Sequence, residues 1–181
     1  MSTHAKHLAT YDDLCRVPAH LVAQIIHGQR ITLPRPGAQA CTRLIDHGRQ
    51  VGSELRRGQQ RPRGLDEPEL HLGSDILVSD LAGWQRERMP ALPEKAYFDL
   101  APNWVCEVLS PATAQMDRVD KLPLYAAQAV GHAWLVDPDA QTLEVYALHE
   151  RRWRLECAFK AEEISAPPFE ALRFSLAALW P

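Results

Sequence analysis

The segment Trp104-Val105-Cys106-Glu107-Val108-Leu109 is apolar except for one carboxylate. A run of this length and composition, entered just after Pro102, reads as a strand buried on both faces. A glutamate there loses its hydration, and a buried carboxylate without a partner costs several kcal/mol. Whatever the chain folds into must bring a neutralising group to Glu107. A second carboxylate, Asp80, ends the run Asp75-Ile76-Leu77-Val78-Ser79-Asp80, which also reads as a buried strand. Two such groups on neighbouring strands, with Lys121 downstream, would form a site for a hard divalent cation, because Mg²⁺ takes carboxylate oxygens and keeps several waters.

The rest of the chain supplies the frame for those strands. Residues 1–10 are expected to be disordered and residues 11–181 to form a single domain. Tyr11 to His27 reads as a helix, with Pro18 early in it, Leu21, Val22, Ile25 and Ile26 on one side and Gly28 as its stop. Gln29 to Leu33 reads as a short strand. A long amphipathic helix is predicted over residues 38–58 from Cys41, Leu44, Ile45, Val51 and Leu55, followed by a polar loop at 59–64. Glu69 to Leu72 and Ile76 to Ser79 read as strands joined by a turn at Gly73-Ser74. Residues 81–102 read as a long irregular connection. A turn at Ser110 to Thr113 leads to a helix over 117–129, in which Pro123 must either lie in the first turn or kink the axis. His132 to Val136, Leu143 to Leu148 and Trp153 to Phe159 read as strands, the last two as a hairpin, and the tail from Phe169 to Trp180 caps the domain. This order predicts an α/β fold with a central mixed β-sheet flanked by helices.

Composition narrows the function. The sequence is 46% hydrophobic and 24% charged, ordinary for a globular protein. No apolar run reaches the roughly 18–20 residues of a membrane span. The start of the chain lacks the apolar core of a signal peptide, so the expected compartment is the cytoplasm. Cys15, Cys41, Cys106 and Cys157 form no CxxC pair, and Cys41 and Cys106 read as small buried hydrophobes. The eight histidines show no zinc spacing. A net charge of −3 does not suggest a general nucleic-acid binder, although a local basic patch can serve an enzyme. Ser110 has no nucleophile-elbow glycines, and no phosphate-binding glycine loop is present.

Four stretches together carry a resemblance: Glu67–Trp84 (EPELHLGSDILVSDLAGW), Asn103–Thr113 (NWVCEVLSPAT), Asp117–Ala126 (DRVDKLPLYA) and Val130–Pro138 (VGHAWLVDP). From about Tyr11 to Pro181 the chain resembles the PD-(D/E)XK nuclease superfamily, and within it a family of small bacterial restriction-endonuclease-like proteins whose lysine has migrated. The resemblance implies a restriction-endonuclease-like fold and hydrolysis of DNA phosphodiester bonds with Mg²⁺ or Mn²⁺. The family's Pro-Asp pair falls on Ser79-Asp80, and its Glu-Val-Leu-Ser-Pro motif on Glu107 to Pro111. Asp80 and Glu107 would then be catalytic metal ligands. Leu109 stands where the motif's lysine would be, and Lys121 on the next helix takes that role, assisting the attacking water. A homodimer would suit cutting both strands of a duplex.

Other residues carry two readings each. Gln24 stands where relatives carry a helix glutamate and Ala40 where they carry a histidine, so the alternative is a degenerate member acting as a binding or structural module. Gln24 could still accept a water near the metal. Asp117 and Lys121 are four apart and could form only a surface i,i+4 pair. Tyr125 lies one turn further on the same stripe, as an accessory residue or as core. His71 reads as a core or surface histidine, against a catalytic one. Arg56, Arg57, Arg61 and Arg63 could contact phosphates, or form a solvated helix end and loop.

Overall fold

The structure, a computed structural model, describes residues 8–34, 63–160, 163–170, 173–178 and 180. It begins with a short helix, α1 (Tyr11–Cys15), nucleated by a capping box in which the Thr10 amide donates to the Asp13 carboxylate at 2.8 Å. The helix predicted over Tyr11 to His27 stops there. Val17 precedes Pro18 and is biased away from helical backbone, and the β-branched Val22, Ile25 and Ile26 then build β1 (Leu21–Ile26). His27 and Gly28 both take positive φ, 52° and 73°, and form a two-residue turn into β2 (Gln29–Pro34). That turn geometry matches the twist of a hairpin, so Gly28 turns a strand where it was expected to stop a helix. Residues 8–10, expected in a disordered terminus, lie against this hairpin, with the Ala9 amide donating to the Gly28 carbonyl at 2.9 Å.

Two sheets follow. The first has the order β2-β1-β5-β4, with β4 at Glu69–Leu72 and β5 at Asp75–Val78. The second has the order β10-β9-β8-β7-β6-β3. Its strands are β3 (Arg63–Asp66), β6 (Leu81–Trp84), β7 (Trp104–Val108), β8 (His132–Asp137), β9 (Thr142–His149) and β10 (Arg152–Phe159). Only β7 and β8 run parallel; the other pairs in this sheet are antiparallel, which makes it mixed.

Two sequence expectations change here. Arg63 and Gly64 belong to β3, outside the expected polar loop, and Leu81 to Trp84 form β6 inside the stretch read as irregular. Both are short strands whose partners lie far along the chain, so neither carries a local hairpin signal. The helix predicted over 38–58 lies outside the described residues, as do Ala40 and Cys41.

β3 pairs with β6 in the second sheet while β4 pairs with β5 in the first. The ribbon they form therefore passes from one sheet to the other at Glu67-Pro68 and at Ser79-Asp80. The corner is tied by the Glu67 amide donating to the Asp80 carbonyl at 3.0 Å. Strands that change sheets through a bend make the corners of packed sheets, and Asp80 sits on this one.

The helix after β7, here α2 (residues 114–127), is α-helical over Ala114–Met116, winds as a π turn over Asp117–Lys121 and returns to α over Leu122–Ala127. Pro123 has no amide hydrogen to give, and its ring would collide with the carbonyl four residues back. The π turn lies immediately before it and widens the backbone, with the Leu122 amide reaching back to the Asp117 carbonyl. Leu122 and Tyr125 pack on the face of the second sheet formed by Val105, Ala133 and Leu135. On the opposite face Trp104, Cys106, Trp134 and Val136 are covered by Ile164, Leu176 and Trp180, so the tail does cap the domain. Among the described residues no helix is long and apolar enough to cross a membrane.

Candidate active site

Side chains alternate across a strand. On β7, Trp104 and Cys106 face the tail, so Val105 and Glu107 face α2. Glu107 is thereby carried under the helix in a central strand, with 1% of its side chain exposed. Its two oxygens have separate partners. Tyr125 Oη donates to Oε1 at 2.6 Å, and Lys121 Nζ donates to Oε2 at 3.1 Å. The Asp80 amide also points at Oε2, at 3.4 Å.

Asp80 approaches from the sheet corner. Its Oδ2 accepts the Val108 amide at 2.7 Å, which ties the corner to the end of β7. Among the described residues its Oδ1 takes no hydrogen bond. Lys121 turns its ammonium into the protein. It donates to the Val78 carbonyl at 2.9 Å and to Glu107, and it lies 3.1 Å from Asp117 Oδ1. The side chains of Lys121 and Asp117 are 5% and 2% exposed, so this is no surface i,i+4 pair.

The winding of α2 accounts for the alignment. In an α-helix residues 117, 121 and 125 would fan across about 80°. The wider π turn over Asp117–Lys121 takes up that fan and brings Lys121 and Tyr125 to Glu107 and Asp117 to Lys121. π turns inside α-helices are frequent at functional sites.

Charge and burial set the electrostatics. Burial pushes the Glu107 carboxyl up to about 8; Lys121 opposes this, Asp117 and Asp80 add to it, and the Tyr125 hydroxyl opposes it. Burial also raises Asp80, against Lys121 and the Val108 amide, with Asp117 and Glu67 adding to the rise. Burial works to lower Lys121, but Glu107, Asp117 and Asp80 outweigh it and hold the ammonium above its ordinary value. With every group ionised, three carboxylates face one ammonium, a surplus of two negative charges among the described residues.

That surplus, with the open Asp80 Oδ1, suits a divalent cation. The donors are hard oxygens, and among the described residues no group of three or more His, Cys, Asp or Glu side chains gathers as metal ligands, so Asp80 and Glu107 would be the protein's contribution and water the rest. Mg²⁺ is typically held in this way, by one or two carboxylates and retained waters.

The structure thus brings together Asp80, Glu107, Lys121, Asp117 and Tyr125. Tyr125, read as an accessory residue or as core, is buried in the core and also bonds Glu107. Gln24 joins indirectly, on a strand where a helix was expected. Buried on β1, it accepts the Val78 amide through Oε1 at 2.9 Å, while the Val78 carbonyl holds Lys121. Arg56, Arg57 and Arg61 lie outside the described residues, and Arg63 begins β3. His71 is structural: its ring stacks on Tyr97 at 3.9 Å and Nε2 lies 2.7 Å from Glu69 Oε1.

Sequence reasoning missed two contributors. The Val78 carbonyl leaves no trace in residue identity. Ser79, which takes the place of the proline in the family's Pro-Asp pair, has a buried hydroxyl that donates to the Leu81 carbonyl at 2.7 Å, with the Cys106 carbonyl at 3.3 Å. A small hydroxyl at a strand corner was the available signal.

No curated protein matches the sequence. A crystal structure of a "putative nuclease" from Anabaena variabilis ATCC 29413 superposes with a TM-score of 0.73 at 24% identity, covering 93% of this chain and 96% of that one. The two share a fold, and it is restriction-endonuclease-like. A family model described as "Putative restriction endonuclease" matches residues 8–178, which take in the corner aspartate, the central-strand glutamate and the lysine of the π turn. The chain therefore belongs to the Uma2 family.

Proposed function

We propose that the protein is an endonuclease that hydrolyses DNA phosphodiester bonds with Mg²⁺ or Mn²⁺ held by Asp80 and Glu107. The observation that carries this reading is the buried surplus of negative charge beside Lys121, with one Asp80 oxygen left open. The cation, when bound, would neutralise the phosphate and activate a water. Lys121 holds the Glu107 carboxylate in place and keeps a fixed positive charge where negative charge develops in the transition state. Tyr125 fixes Oε1 and Lys121 fixes Oε2, so the Glu107 carboxylate is held in one orientation with Oε2 on the Asp80 side.

DNA is the substrate and the family membership supports it. Arg56, Arg57, Arg61 and Arg63 are proposed to contact the phosphate backbone. A homodimer, with one site per strand, completes the reading, in a cytoplasmic setting.

Plasmid nicking tests it. Supercoiled DNA should be converted to nicked and linear forms in Mg²⁺ or Mn²⁺ and left intact in EDTA. Asp80→Asn should lower the rate at least a hundredfold. Equal nicking by wild type and Asp80→Asn would sink the proposal. Metal binding without any nicking would favour the alternative, a degenerate module that keeps the fold, a reading motivated by Gln24 and Ala40.

A further inference from the structure

Asp117 has no part in holding the cation as described above, yet it is as buried as Glu107. Burying an ion pair costs several kcal/mol per ion unless its geometry is compensated. An exposed i,i+4 pair on this helix would have cost nothing of the kind. The Asp117–Lys121 pair is nevertheless kept inside, 3.1 Å apart, by a π turn that breaks the regular winding of α2.

Charge counting suggests what the pair does. Without Asp117, Lys121 would cancel one of the two charges on Asp80 and Glu107, and a single net negative charge would face a divalent cation. With Asp117 in place the ammonium is matched on its own helix. Asp80 and Glu107 then keep two negative charges between them. Glu67 adds to this field from the half-buried side of the corner.

We propose that Asp117 is a positioning residue of the cation site: it holds Lys121 and offsets its charge, so that Asp80 and Glu107 retain the charge a divalent cation needs. This rests on the metal-dependent reading above.

The test is Mg²⁺ binding followed by calorimetry, which requires no activity. Four proteins are compared: wild type, Asp80→Asn, Asp117→Asn, and the double variant Asp117→Asn with Lys121→Met. Asp117→Asn should weaken Mg²⁺ binding about tenfold or more, since one charge is lost within a few ångströms of the site. The double variant removes one charge of each sign and should bind more tightly than Asp117→Asn, though more weakly than wild type because Glu107 also loses the Lys121 contact that holds it. Replacing a buried ion pair by neutral groups of similar size is often harmless to folding, so the double variant remains informative if the single one folds poorly. Unchanged binding by Asp117→Asn would overturn the inference while leaving the metal reading intact. Loss in Asp117→Asn that the double variant does not recover would also overturn it, and would make Asp117 a ligand. If wild type takes up no Mg²⁺, both readings fall.

Discussion

Lys121→Met will destabilise the metal-free protein by about 3–5 kcal/mol, because removing one partner of a buried ion pair leaves its carboxylates uncompensated. That is a large share of the 5–15 kcal/mol by which a typical domain is stable. Methionine fills the volume of the lysine stem, so the loss reports the charge and its three contacts, to the Val78 carbonyl, Glu107 and Asp117. The loss will be smaller at pH 5 than at pH 8, because the orphaned carboxyls can take up protons in acid. Saturating Mg²⁺ will recover more stability in the variant than in wild type, since the cation replaces the missing positive charge. Urea unfolding in EDTA and in Mg²⁺, at both pH values, measures all three effects. A variant as stable as wild type in EDTA at pH 8 would show that the ammonium does not hold this cluster together.

Glu107→Gln should act in the opposite direction. Its carboxyl is raised in the folded protein to about 8 from an ordinary value of 4.5. The folded state therefore binds the proton more tightly than the unfolded chain. The stability associated with Glu107 is full below pH 4.5 and is lost as pH rises toward 8. Glutamine carries no charge and has no such slope. Lys121 keeps Asp117 as its partner, so no lone ammonium is left behind. Relative to wild type without metal, Glu107→Gln should be equal at pH 4.5 and more stable by at least about 1 kcal/mol at pH 8. Thermal melts from pH 4.5 to pH 8.5 follow the difference. A gap that stays constant with pH would mean that Glu107 does not titrate in this range. The same variant should lose Mg²⁺ binding, so the protein gives up stability for the site.

The strands around the site were legible because their signals are local. An apolar run holding one glutamate can only be a buried strand with a partner for that glutamate, and β7 is one. The Gly73-Ser74 turn and the β9–β10 hairpin were readable for the same reason. Residues 11–27 were not. Leu21, Val22, Ile25 and Ile26 fit a helical stripe as well as a strand, and the His27-Gly28 turn that decides between them lacks the usual Asn-Gly or Asp-Gly. The resemblance named Asp80, Glu107 and Lys121. It could not show that Lys121 turns its ammonium into the protein, that Tyr125 closes one side of Glu107, or that Asp117 is buried. Those follow from the π turn, and Pro123 offered the only hint of one.

Anomalous scattering from crystals soaked in Mn²⁺ addresses the site most directly. The expected result is a peak beside Asp80 Oδ1 and Glu107 Oε2, absent from crystals of Asp80→Asn. No peak there at saturating Mn²⁺, with Lys121 still bridging Glu107 and Asp117, would show that the two carboxylates are a structural ion cluster and hold no cation.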